Sequence, residues 1–92
     1  MNWAFVGAST IASQYMLDAV RQQAGNDVTW VVSNSSDRVQ TWAKEHGIPN
    51  ATTDLNAALS DDGVKAVYIS STNEKHHGQA MAAIAAGKHL SL

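Results

Sequence analysis

The chain has 92 residues, six basic and eight acidic side chains, and a formal net charge of -2. That length suits one small domain and leaves no room for a second. The negative balance argues against a nucleic-acid binder that works by phosphate neutralisation. With no cysteine at all, disulfides, thiolate metal sites and cysteine nucleophiles are excluded. A domain of this size buries a modest fraction of its surface, so a bound ligand or a partner subunit is expected to support the fold.

"NWAFVG" reads as a short buried strand ending at Gly7. From Ile11 the apolar positions Ile11, Tyr15, Met16, Ala19 and Val20 fall on one helical face. "DVTWVVS" is rich in β-branched and aromatic residues and reads as a second strand. "SSDRVQTWAKEHG" opens with a serine cap candidate, carries Val39, Trp42, Ala43 and His46 at helical spacing, and closes on Gly47 as an αL residue. "IPNATT" is a loop or a very short third strand, after which Thr53 or Asp54 can cap a helix through Leu55, Ala58 and Leu59. "VKAVYISS" is another strand, "NEKHHGQAMAAIAAG" an alanine-rich helix ending at Gly87, and "KHLSL" starts one more strand. No apolar run approaches the length that spans a bilayer, and the N-terminus lacks a signal-peptide pattern, which is compatible with a cytoplasmic protein.

Strands that alternate with helices imply βαβ crossovers and a mainly parallel sheet. The expected fold is α/β: a partial Rossmann fold with helices on both faces, as one truncated dinucleotide-binding domain over residues 1–92 without a substrate domain. Ligands of such sheets bind at the carboxyl ends of the strands. Gly7 to Ala12, Ser33 to Arg38 and Ser70 to Asn73 all fall at such ends.

The fingerprint G-x-G-x-x-G/A maps onto Gly7, Ala8, Ser9, Thr10, Ile11 and Ala12. Gly7 supplies the tight turn, and Ala12 permits close packing of helix on strand. Ser9 stands where a glycine normally lets the backbone approach a pyrophosphate; its hydroxyl can donate to a phosphate oxygen in front of a helix N-terminus. The bland alternative is a plain strand-to-helix turn capped by Ser9 or Thr10. At the tip of the second strand an NAD site usually carries a carboxylate for the ribose 2′-hydroxyl. Here Ser33 and Asn34 offer a hydroxyl and an amide, and Arg38 follows. A guanidinium suits a phosphate, which points to NADP. The alternative for Arg38 is a solvated helix residue paired with Asp37 or Glu45. Adjacent His76 and His77 do not face one another on a helix, so no metal site is expected there. "LSDDG" reads as a turn before a strand, and Tyr68 and Trp42 read as core residues.

"GASTIA" after the first strand, "VYISSTNEKHHGQAMAAIAAGKH" and the element order resemble the N-terminal domain of the glucose–fructose oxidoreductase/inositol dehydrogenase/MocA family. Within it the motifs are most similar to NADPH-dependent sugar-ketone reductases. The resemblance implies Ser9, Thr10 and Ile11 at the pyrophosphate and Ser33 and Arg38 at the adenosine 2′-phosphate. It implies Ser71, Thr72 and Asn73 on the ribose side near the nicotinamide arm. His76 matches a family histidine at the start of the following helix. In the family, "GKH" leads into an E-K-P motif whose lysine is implicated in catalysis; here "LSL" follows, and no catalytic residue is assigned. Three readings stand: an NADP(H)-binding module silent on its own, a minimal oxidoreductase completed by self-association, or a structural α/β domain with a vestigial turn. A bare sheet edge after the last strand, with Val67, Ile69 and Leu90 near it, is expected to favour a homodimer.

Overall fold

The computed structural model describes residues 1–7, 11–71 and 73–91; the side chains of Ile11, Ala12 and Asn73 also lie outside the description. Among the described residues the order is β1 (Asn2–Val6), α1 (Ile11–Arg21), β2 (Asp27–Val32), α2 (Ser36–His46), β3 (Asn50–Thr52), α3 (Leu55–Leu59), β4 (Val64–Ile69), α4 (Asn73–Ala85) and β5 (His89–Ser91). The five strands form one sheet in the order β3-β2-β1-β4-β5, and every neighbouring pair is parallel. This is the doubly wound arrangement, whose order reverses beside β1.

Each face of the sheet has its own core, because alternate strand residues point to opposite sides. On one face Phe5, Val28, Val31 and Tyr68 meet Leu17 and Val20 of α1 and Val39, Trp42 and Ala43 of α2. On the other, Ala4, Val6, Val32, Val67 and Ile69 meet Ala58 and Leu59 of α3 and Ala83 of α4. The strands are therefore covered on both sides, which is why "WVV" and "AVYI" read as continuous apolar runs.

Caps fix the helix ends. The Ser35 hydroxyl accepts the Arg38 N–H at 3.3 Å, and Gly47 closes α2 in the left-handed region at φ 67°. Asp54, not Thr53, caps α3: its carboxylate accepts the Asn56 N–H at 3.0 Å. "IPNATT" does contain a strand, three residues long, beside β2.

Two expectations about apolar surface fail. Tyr15 is 77% exposed, whereas Ser13, Leu17 and Val20 line the inner side of α1. Val20 and Met16 pack on the core as expected, but Leu17 takes the place given to Tyr15, which can keep its hydroxyl in water. Val67 and Ile69 are also no part of a bare edge: both are almost fully buried beneath the helices of their face. The exposed apolar side chains near that half of the sheet are Met81 and Ile84 on α4, and Leu90 is half-buried.

Candidate functional site

The carboxyl ends of β1, β2 and β4 meet around a cleft of about 380 Å³. Cavities of about 300–1,000 Å³ are typical of small-molecule sites. Backbone bonds hold the three ends in register: Gly7 N–H donates to Val32 O at 2.8 Å, and Ser70 N–H donates to Val6 O at 2.8 Å. At β3 the Ser33 N–H donates to Thr52 O at 3.2 Å. Each loop that leaves these strands is thus anchored at its first residue.

Gly7 has φ +89°, a region that side chains with a Cβ avoid. A Cβ placed there would lie 2.8 Å from the Ser71 backbone nitrogen. The first glycine of the fingerprint is therefore required twice, by its backbone angle and by the closeness of the β4 end.

The cleft floor is apolar, with Val6, Val32 and Leu55. Its rim carries Gly7, Ser33, Asn34, Thr53, Ser70, Ser71 and Gln79, and its charged lining residues are Arg38 and Lys75. No carboxylate lines it among the described residues. Arg38 has no ion pair there with Asp37 or Glu45; the salt bridge recorded among the described residues joins Arg21 to Asp27. A cleft with two unpaired cations and no acid suits an anionic ligand.

Of the expected binding residues, Gly7, Ser33, Asn34, Arg38 and Ser71 line this one cleft. Ser9, Thr10 and Thr72 lie outside the described residues. Ile11 and Asn73 open α1 and α4, at the same carboxyl edge of the sheet. His76 is half-buried in the first turn of α4 and is not among the lining residues; its Nε2 is buried with no hydrogen-bond partner. Six lining residues were not among the expected binding or strand-end residues: Val6, Val32, Thr53, Leu55, Lys75 and Gln79. The Ser71 hydroxyl donates to the Gln79 side-chain oxygen, which joins the β4 loop to the second turn of α4. Position i+4 after Lys75 was the available signal, since Lys75 and Gln79 share a helix face.

Other polar residues have structural roles. Lys88 donates to the backbone carbonyls of Val64 at 2.7 Å and Asp61 at 3.0 Å, remote from the cleft. Asp61 closes the turn of "LSDDG" by accepting the Gly63 N–H at 2.8 Å.

Strand order, glycine turn and crevice together define a dinucleotide-binding domain of the Rossmann type. All 92 residues match the model of an oxidoreductase family with an NAD-binding Rossmann fold, and the chain belongs to that Gfo/Idh/MocA family. A 1,5-anhydro-D-fructose reductase of Ensifer adhaerens is 42% identical over 89 residues, which are 97% of this chain and 26% of the relative. An NAD binding oxidoreductase from Klebsiella pneumoniae superposes with a TM-score of 0.88 at 30% identity, over 98% of this chain and 26% of that one. A biliverdin reductase from Synechocystis, solved with biliverdin and NADP+, superposes with a TM-score of 0.85 at 25% identity, over 97% of this chain and 28% of that one. The chain thus spans about a quarter of the length of these relatives.

Proposed function

We infer that the chain is the NADP(H)-binding part of a sugar-ketone oxidoreductase, of the kind its anhydrofructose reductase relative represents, and that it is catalytically silent alone. The observation that carries the cofactor preference is Arg38 in the cleft beside Ser33 and Asn34, with no carboxylate among the described lining residues. Arg38 binds the 2′-phosphate as a charge-assisted pair, and Ser33 and Asn34 add a hydroxyl and an amide. The turn at Gly7 and the N-terminus of α1 hold the pyrophosphate. Val32 and Leu55 cover apolar ring surface, with Thr53 and Gln79 at its edges. When bound, the reduced cofactor supplies hydride. Turnover also needs a ketone held in place and a proton source within hydrogen-bond reach. Among the described lining residues Lys75 is the candidate for that source, with no histidine, tyrosine or carboxylate beside it.

Calorimetric titration with NADPH and NADH in parallel tests the preference; NADPH binds at least tenfold tighter, and equal affinities would overturn the reading. The silent state is tested by following NADPH consumption with dicarbonyl sugars, where sustained turnover by the 92-residue chain speaks against it.

A homodimer is the second part of the proposal. It is supported by Met81 and Ile84, which are 53% and 55% exposed on α4, the helix beside β5. Sedimentation equilibrium checks it, and a monomer at every working concentration refutes it.

A further inference from the structure

Ser13 is a buried polar residue, 1% exposed, on the inner face of α1. Its Oγ lies 3.0 Å from the Gly7 carbonyl oxygen and 2.8 Å from Ser70 Oγ. Ser70 Oγ in turn lies 2.6 Å from the same Gly7 carbonyl and 3.2 Å from that of Val6. Ser13 Oγ reaches back six residues, to the carbonyl of the residue that follows β1. Each hydroxyl has one proton to give, and a carbonyl oxygen can accept two. The shortest contact assigns the Ser70 proton to the Gly7 carbonyl, and Ser13 Oγ lies within hydrogen-bond distance of both.

We propose that Ser13 and Ser70 are positioning residues that set the glycine turn for nucleotide binding, by fixing the Gly7 carbonyl on the core side. A peptide group is planar, so holding its carbonyl fixes the plane in which the chain leaves Gly7. Gly7 has more freedom than any other residue type to leave in a different plane. The hydroxyl pair removes that freedom before a ligand arrives, which lowers the ordering cost of binding. It also ties the turn after β1 to the end of β4, the two sides of the point where the strand order reverses. The effect is common to NAD and NADP, because it acts on the turn and not on the 2′-position. The inference rests on the nucleotide-binding reading above.

Ser13 makes the sharper test, because it does not line the cleft whereas Ser70 does. Affinities for NADPH and NADH are measured per folded molecule for wild type, Ser13→Ala, Ser70→Ala and the double variant, with melting curves giving the folded fraction. Ser13→Ala weakens both nucleotides alike by about three- to ten-fold, the worth of one ordinary hydrogen bond. The double variant is no more than about twofold weaker than Ser70→Ala, since the two hydroxyls act as one unit. Amide hydrogen exchange over residues 7–13 of the nucleotide-free chain accelerates in Ser13→Ala. Should Ser13→Ala fail to fold, Ser13→Cys keeps the side-chain shape with a larger, weakly donating sulfur in place of the hydroxyl. If wild type binds and Ser13→Ala binds equally well per folded molecule, or the two losses simply add, this inference alone is overturned. If wild type binds neither nucleotide, the nucleotide reading falls and takes this inference with it.

Discussion

The Trp30 indole N–H donates to the Asp61 carboxylate at 2.8 Å, joining the middle of β2 to the turn before β4. That bond, then the Gly63 N–H, holds the Asp61 carboxyl below the usual carboxylate range; desolvation opposes them and the Lys88 ammonium adds to them. A depressed carboxyl contributes stability that is present above its ordinary pKa and is lost as pH falls through the lowered value. Asp61→Asn is therefore less stable than wild type at pH 7, and the gap narrows as pH drops below about 4. Urea denaturation at pH 7 and pH 3 reads the two gaps; an equal gap at both means the ionised form adds nothing.

Lys88 secures the same corner from the other side. Lys88→Met leaves two backbone carbonyls without their charged donor, and the loss is about 1–3 kcal/mol of unfolding free energy. Lys88 is remote from the cleft, so nucleotide affinity per folded molecule stays within about twofold of wild type. A variant that melts normally but binds poorly would contradict this division.

Gly7→Ala separates backbone strain from collision when set beside Gly25→Ala. Both glycines have positive φ, +89° and +82°, but a Cβ at Gly25 meets nothing within 4 Å. Gly25→Ala costs roughly 1–2 kcal/mol, the ordinary penalty of the left-handed region. Gly7→Ala adds a collision with Ser71 backbone, which cannot swing aside, and costs at least about 2 kcal/mol more. It also abolishes nucleotide binding. Similar melting temperatures for the two variants would show that the β4 end yields easily.

Arg38→Ala weakens NADPH by roughly ten- to a hundred-fold and leaves NADH nearly unchanged, because only the former has a phosphate for the guanidinium. Arg38 is exposed, so the fold is little affected. Ser33→Asp reverses the preference by repelling the phosphate and offering the ribose hydroxyl an acceptor. That change is not free, since Ser33 is only 8% exposed and its Oγ accepts the Ser35 N–H at 3.3 Å. Parallel titrations of both cofactors decide the matter, and equal weakening of both by Arg38→Ala refutes the assignment.

The strands were legible because burial on both faces leaves an unbroken apolar run, as in "AVYI", and the end of α2 because Gly47 adopts the one conformation that favours glycine there. The choice of Leu17 over Tyr15 on α1 was not legible: both are apolar enough for a core, and only the partners supplied by β1 and β2 select Leu17. At the cleft, the residues that follow strands directly could be read from position alone. Lys75 and Gln79 could not, since they reach it from the first two turns of α4; Thr53 and Leu55 were missed because "IPNATT" reads equally as a loop or a short strand, so the end of β3 was not fixed. Ser13 and Ser70 were hidden for a related reason: a hydroxyl pair separated by 57 positions has no local signature.

The strand that comes first in the chain is the central strand of the sheet, pairing Asn2 with Asp27 on one side and with Val64 on the other. During folding β1 must wait for partners made later, and the second pairing closes much the longer loop. Docking of β2 brings Ser33 and Arg38 to Gly7 and builds one wall. The opposite wall, with Ser70, Ser71, Lys75 and Gln79, arrives only with β4 and α4. The β1–β2 half of the structure therefore carries most of one core and half of the crevice. Competence to bind thus requires both pairings of β1, and detachment of β4 would remove it even where the β1–β2 pairing persists.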